Sequence, residues 1–286
     1  MSILSKLDDY KYWRDNKLNN YTTNLEDCLI EIDNPLKLKK SEKDRVRFLC
    51  NSNNFALFHI QKQSDYVKTV TNINAQFDLV EIDKHLYMQD QSLAHITPKV
   101  EKNQSEFIPY TNRAIGWHTD GYYNDIDHRI RSFSLFCANP AISGGINDWI
   151  DPQIAYILIR EENPDVAKIL THPQALSIPE HKKDGKTRRA KSTGAIFFID
   201  ELTQQLSMRY TQRKKNIKFL DSIEIKPALE SLSKLLNTST QYHFKHLMQS
   251  GQGMLCNNVV HKREAFIDDS NNPRLMLRGR YFKSIN

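Results

Sequence analysis

From about residue 93 onward the chain is a series of short apolar or alternating runs, each ended by a turn signal, and few folds accept that texture. Runs at 92–96, 115–123, 132–138, 195–200, 205–210, 253–261 and 274–282 read as strands. Many short strands separated by turns predict a β-sandwich or barrel. Two helical insertions interrupt the series. One starts at Asp151-Pro152, an acidic cap followed by a proline at the first turn, and occupies about 151–170. The other, about 225–247, carries Leu229, Leu232, Leu235 and Leu236 on one face, which predicts a core contact.

Residues 1–92 read as a mixed layer. The first forty give weak signals, with a strand at 28–32 that stops at Asn34-Pro35. Ser41 suits a helix N-cap and Val46, Phe48 and Leu49 follow it, so a helix is predicted through about Cys50. Residues 55–60 form an apolar strand, and 65–77 a helix with Val67, Val70 and Ile73 on one face. No linker or low-complexity tract divides the 286 residues, and 39% hydrophobic content can fill one large core, so 1–286 is read as a single domain.

Four cysteines (Cys28, Cys50, Cys137 and Cys256) are far apart and form no C-x-x-C pair, which argues against disulfides or a zinc knuckle and suits a reducing cytoplasm. Residues 1–20 lack an apolar secretory core, and no run is long enough to span a bilayer, so no membrane partner is expected. A net charge of +6 invites a polyanion reading. The charge gathers at 181–191, around the turn dipeptide Asp184-Gly185, and at Arg213-Lys214-Lys215. Solvated loop charge explains the first cluster, and nucleic acid is not the expected partner.

Function enters at Trp117-His118-Thr119-Asp120-Gly121-Tyr122-Tyr123. On one strand the period of two sets His118 and Asp120 on the same face, where both can hold a metal ion. About 140 residues later His261 ends the run 253–261. Two histidines and one carboxylate match the facial triad that holds non-haem Fe(II) with open positions, and the absence of thiolate ligands disfavours structural zinc. His243 and His246 are spaced for one helical face, but that pair lacks a carboxylate. On the last run Arg274, Arg278 and Arg280 share a face of an otherwise apolar strand. Inward guanidiniums need anions, and their planar fork suits a carboxylate, which points to a dicarboxylate cosubstrate.

These residues resemble the taurine dioxygenase-like (TauD/TfdA-like) family of Fe(II)- and 2-oxoglutarate-dependent oxygenases. The resemblance covers 107–282, carried by Trp117-His118-Thr119-Asp120, Gly144-Gly145-Ile146-Asn147-Asp148-Trp149, Arg209-Tyr210, Asn258-Val259-Val260-His261 and Arg274-Leu275-Met276-Leu277-Arg278. It implies an α+β fold with a double-stranded β-helix (jelly-roll, cupin-like) core and flanking helices. It also implies Fe(II) on His118, Asp120 and His261, the distal carboxylate of 2-oxoglutarate on Arg274, and Arg278 near the cosubstrate's other end or an anionic substrate group. O2 is the oxidant, succinate and CO2 are released, and hydroxylation of a small polar or anionic metabolite is the default outcome. Because Asp120 is present, the halogenating variant of the family is disfavoured. The family often self-associates, so a homo-oligomer stays open.

One departure is visible. After the Gly-Gly pair, family members commonly carry an acidic residue and then a threonine that helps bind 2-oxoglutarate; here Ile146 and Asn147 stand there. An asparagine amide also donates to a carboxylate, so Asn147 is expected to substitute. Tyr122, Tyr123 and Arg209, with Arg213 behind them, are the candidate substrate contacts. Two other classes fit parts of the pattern: a two-His, one-carboxylate zinc hydrolase, and a basic polyanion-binding protein using 182–191.

Overall fold

The longest apolar runs become the middle of a sheet, as seen in a computed structural model that describes residues 2–83, 93–98, 108–183, 186–213 and 215–286. His85, Ser92, the Asp184-Gly185 turn, Lys214 and the first residue of the family resemblance, Phe107, lie outside the described residues. Ten strands matter for the site: β1 (Leu29–Ile32), β2 (Phe55–Ile60), β3 (Ala94–Ile96), β4 (Ile115–His118), β5 (Ser132–Asn139), β6 (Asn147–Ile150), β7 (Phe244–His246), β8 (Gln252–Cys256), β9 (Val260–Arg263) and β10 (Leu275–Tyr281). They form a six-stranded sheet in the order β1-β2-β8-β5-β10-β3 and a four-stranded one in the order β7-β6-β9-β4.

The chain divides into two compact units, each assembled from three separate segments. One comprises Thr22–Ile115, Ile130–Trp149 and Phe244–Asn286 and contains the six-stranded sheet. Its centre, β5, pairs antiparallel with β8 and β10. β1 and β2 are parallel, so the chain must cross over between them, and helix α2 (Lys40–Asn53) makes that crossing. Asn54 then takes the left-handed conformation (φ 61°), which ends the helix and turns the chain into β2. The expected N-cap at Ser41 is displaced: the cap is Lys39, whose backbone N–H donates to the Glu42 carboxylate at 2.6 Å. The two sheets share an aromatic core. Phe55 on β2 meets Trp149 on β6 and Phe244 on β7, with ring centroids 5.2 and 4.9 Å apart. Helix α3 (Tyr66–Ala75), capped by Asp65, buries Val70 and Ile73 and sends Asn74 to the Tyr281 hydroxyl at 2.7 Å.

The other unit comprises Met1–Tyr21, Gly116–Arg129 and Ile150–His243. The first helical insertion is two helices, α4 (Pro152–Glu162) and α5 (Pro164–Leu170), broken at Asn163-Pro164 because the residue before a proline leaves the helical region. Helix α6 (Ile225–Asn237) spans the leucine-bearing stretch of the second insertion. Leu232 and Leu236 are buried, but Leu229 and Leu235 are only partly so. Helix α1 (Leu7–Asn19) buries just Tyr10 and Lys17, which explains its weak sequence signal. Lys17 reaches the Asp151 carboxylate at 2.6 Å with both groups out of solvent, and Tyr10 donates to Glu161 at 2.7 Å.

The cluster at 181–191 is not a plain loop. His181–Lys183 and Lys186–Arg189 pair as an antiparallel hairpin, and Lys182 there is exposed and joined to Glu180. All four cysteines are buried and free. Among the described residues no helix is long and apolar enough to cross a membrane.

Candidate active site

The pair His118 and Asp120 comes together by a different route from the one the strand period suggested. β4 ends at His118, Thr119 leaves it, and Asp120-Gly121-Tyr122-Tyr123 is a turn in which Gly121 holds φ +67°. The turn carries Asp120 back so that its Oδ1 lies 3.7 Å from His118 Nε2. Thr119 fixes the turn from both sides of its peptide: its N–H donates to the Tyr210 carbonyl, and its hydroxyl accepts from the Tyr210 N–H.

His261 also sits differently. The run 253–261 is two strands, β8 and β9, separated by Asn257-Asn258-Val259, and Asn258 is left-handed at φ +50°. Its amide donates to the Ile130 carbonyl at 2.7 Å. His261 is therefore the second residue of β9. Its ring packs 4.9 Å from that of Phe133. His118, Asp120 and His261 each offer one ligand atom, and these lie within 4.8 Å of one another.

Both imidazoles are oriented by the same local device. His118 Nδ1 is 2.9 Å from the Gly116 carbonyl, and His261 Nδ1 is 2.9 Å from the Val259 carbonyl. A carbonyl only accepts, so each Nδ1 carries the proton and each Nε2 keeps its lone pair. This is the backing that metal-bound histidines normally have.

Asn147 opens β6 and is buried, and its Nδ2 has no hydrogen-bond partner. Just before it, Gly144 and Gly145 both take positive φ, at +74° and +78°. A side chain at Gly144 would strike the Ala265 carbonyl, and one at Gly145 would stand 3.6 Å from Arg274 Nε. The Gly-Gly pair thus lets the backbone lie close to Arg274. That arginine is 5% exposed, and its guanidinium lies 4.9 Å from the centre of the Phe266 ring. Burial pushes its pKa down. A desolvated guanidinium and an orphaned buried amide are donors suited to the carboxylates of a small dianion, and two imidazoles with a carboxylate suit a divalent iron. The residues present fit the groups that the sequence proposed.

The three C-terminal arginines divide. Arg280 is accounted for by an ion pair with Asp83, so it is no cosubstrate ligand. Arg278, mid-way along β10, is half-buried opposite Leu135. Sequence reasoning missed Arg263, two residues after His261 on the same strand face. It is buried and donates to the Pro109, Thr111 and Arg113 carbonyls. Burial, with Arg274 and Arg278 nearby, lowers its pKa to about 9.

Arg209, expected to meet substrate, is held by protein groups. Its Nε donates to the Tyr122 carbonyl at 2.7 Å, Nη1 to Leu176 and Nη2 to the carbonyl and hydroxyl of Ser192. Every guanidinium nitrogen is engaged with protein and the residue is 7% exposed, so Arg209 braces the turn. Burial, then the charges of Arg129 and Arg189, lowers its pKa to about 10. Tyr122 and Tyr123 meet edge-on, with centroids 5.2 Å apart. Beside them Tyr210, Thr211, Gln212 and Arg213 line one wall of a pocket of about 430 Å³, faced by Lys226 and Leu229 of α6. His243 and His246 form no helical pair: His243 contacts Thr240 and the Trp117 ring, and His246 on β7 bonds Gln252. Among the described residues no second group of histidines, thiols and carboxylates gathers as the triad does.

Known proteins resemble this chain over most of its length. The family model described as taurine catabolism dioxygenase TauD, TfdA family matches residues 19–280. A uridine-5'-phosphate dioxygenase from a Streptomyces species is 28% identical over 221 residues, which cover 74% of this chain and 77% of the relative. Among solved structures, PvcB from Pseudomonas aeruginosa superposes with a TM-score of 0.61 at 15% identity, covering 89% of this chain and 85% of that one. An asparagine oxygenase determined with Fe(II), 3-hydroxyasparagine and succinate gives 0.62 at 12% identity, covering 85% and 79%. The fold is the cupin-like double-stranded β-helix with flanking helices.

Proposed function

We propose that this chain, which belongs to the taurine catabolism dioxygenase TauD, TfdA family, holds Fe(II) on His118, Asp120 and His261, holds 2-oxoglutarate on Arg274 and Asn147, and acts on a nucleoside 5'-phosphate. The reaction class follows from the family: the chain is an Fe(II)- and 2-oxoglutarate-dependent oxygenase acting on a small polar molecule. The ligand assignment rests on one observation, the convergence of the three ligand atoms within 4.8 Å.

When bound, iron and 2-oxoglutarate supply oxygen activation, coupled to loss of CO2 and formation of succinate. The protein supplies positions. The Gly116 and Val259 carbonyls hold each Nδ1 proton, so the Nε2 lone pairs are presented without rotamer search. Asp120 is 5% exposed, which keeps water away from its carboxylate. The Arg274 fork matches a carboxylate in its plane, and Asn147 Nδ2 adds a neutral donor where the family commonly has a hydroxyl. By the family resemblance Arg278 is assigned to the other end of the cosubstrate or a substrate anion. The four buried free thiols suit work in a reducing cytoplasm.

The substrate reading is supported by the Streptomyces relative, whose name gives uridine 5'-phosphate as substrate. Arg213 and Lys226 on the pocket wall, against the single carboxylate Glu230, leave it net positive, as an anionic substrate needs. The test is succinate release from labelled 2-oxoglutarate with uridine 5'-phosphate added. Stimulation of at least tenfold over the uncoupled rate supports the reading, and none across a panel of nucleoside monophosphates contradicts it.

A further inference from the structure

Two arginines reach the tyrosines that follow the metal turn, and among the described residues neither makes a salt bridge. Arg213 Nη1 donates to the Tyr122 hydroxyl at 3.2 Å. The Arg189 guanidinium lies 5.6 Å from the centre of the Tyr123 ring. Since Tyr122 and Tyr123 pack edge-on, both cations rest on one aromatic pair, two and three residues after Asp120.

Arg189 is the last residue of the basic hairpin, and it differs from its exposed neighbour Lys182. It is partly buried, its Nη2 donates to the Pro179 carbonyl at 2.9 Å, and its Nε is buried with no hydrogen-bond partner. Burial lowers its pKa, and the charge of Arg213 acts in the same direction. Arg213 is exposed, so it is Arg189 that loses solvent while facing a like charge; that is unfavourable, and a cation–π contact offsets only about 0.5–2 kcal/mol of it. A dianion between them would reverse the balance, because two planar forks can each donate in pairs to phosphate oxygens. Tyr122 is held for this by Arg209, which grips its carbonyl from behind. Arg213 also lines the open pocket, so a ligand can reach it.

We propose that Arg189 and Arg213, with the Tyr122 hydroxyl, form the subsite for the phosphomonoester of the primary substrate. The proposal rests on the nucleoside 5'-phosphate reading and adds the residues that read its phosphate. It also accounts for the basic hairpin, which carries Arg189 to the site while the exposed Lys182 stays in solvent.

The test compares wild type with Arg189→Gln, Arg213→Gln and Arg213→Lys, using uridine 5'-phosphate and uridine as paired substrates. Losing charge-assisted hydrogen bonds of about 1.5–3 kcal/mol corresponds to roughly 10- to 100-fold. Each Gln variant should therefore raise KM for the nucleotide by that factor with little change in kcat, so the kcat/KM ratio of nucleotide to nucleoside falls at least tenfold. Arg213→Lys should recover part of it. An unchanged ratio overturns the subsite, since a merely structural role would depress both substrates alike. If wild type does not turn over uridine 5'-phosphate, the substrate reading fails, and calorimetry with inorganic phosphate still decides the subsite. Binding by wild type that weakens at least tenfold in both Gln variants supports it. Equal binding, or none by wild type, overturns it.

Discussion

His118 Nε2 stands 3.7 Å from Asp120 Oδ1 across a strand end and the turn that follows it. The separation depends on Gly121, whose φ of +67° lets the chain double back immediately after the carboxylate. A side chain in that conformation costs about 1–2 kcal/mol. Gly121→Ala removes no ligand atom, yet it should weaken Fe(II) binding several-fold as the turn relaxes. Anaerobic Fe(II) titration checks this, and an unchanged dissociation constant would mean the turn does not set the pair.

Arg274 and Asn147 should separate in cosubstrate kinetics. Arg274→Ala should raise KM for 2-oxoglutarate by roughly 100-fold, near the upper end for a charge-assisted hydrogen bond. Asn147→Ala should raise it about fivefold, as loss of one neutral bond does, and Asn147→Thr should restore it. Equal effects on KM for the primary substrate would contradict the assignment.

Arg209 should behave as a brace. Arg209→Met strands the carbonyls of Tyr122, Leu176 and Ser192 and should destabilise the fold by about 3 kcal/mol. That lowers Tm by roughly 5–10 °C. Thermal unfolding measures it, and a stable variant with lost substrate affinity would reassign Arg209 to the substrate.

The buried tyrosines set an alkaline limit. Burial raises both Tyr210 and Tyr281 to about 12, against 10 for a free phenol. A pKa raised by folding means that the folded state holds its proton more tightly. The stability this contributes is complete below pH 10 and is lost as pH rises towards 12. Denaturant unfolding at pH 9 to 12 should show that decline, shallower in Tyr281→Phe. A flat profile would contradict it.

Much of this was legible in the sequence, and the failures share a cause. The apolar runs at 55–60 and 132–138 announced their strands because burial on a sheet demands such residues. His118, Asp120 and His261 do converge, but the reasoning that put His118 and Asp120 on one strand face failed. Asp120-Gly121 is a turn dipeptide, and the aromatic residues after it looked like a continuing strand. Asn257-Asn258 hid the break between β8 and β9 in the same way, since asparagine tolerates left-handed backbone without advertising it. The protein partners of Arg280 and Arg209 were not legible, because sequence shows a cation and not its partner. Asp83 and a set of backbone carbonyls turned out to be those partners. Arg189 was lost in a run of basic residues, and its partial burial, its bond to the Pro179 carbonyl and its contact with Tyr123 set it apart from the exposed Lys182.

The most direct test of the iron assignment is the visible difference spectrum on adding Fe(II) and then 2-oxoglutarate without oxygen. Wild type should develop a weak charge-transfer band, and His118→Ala and His261→Ala should each abolish it while keeping the folded far-UV spectrum. A wild type without the band, or either variant that retains it, would contradict the site.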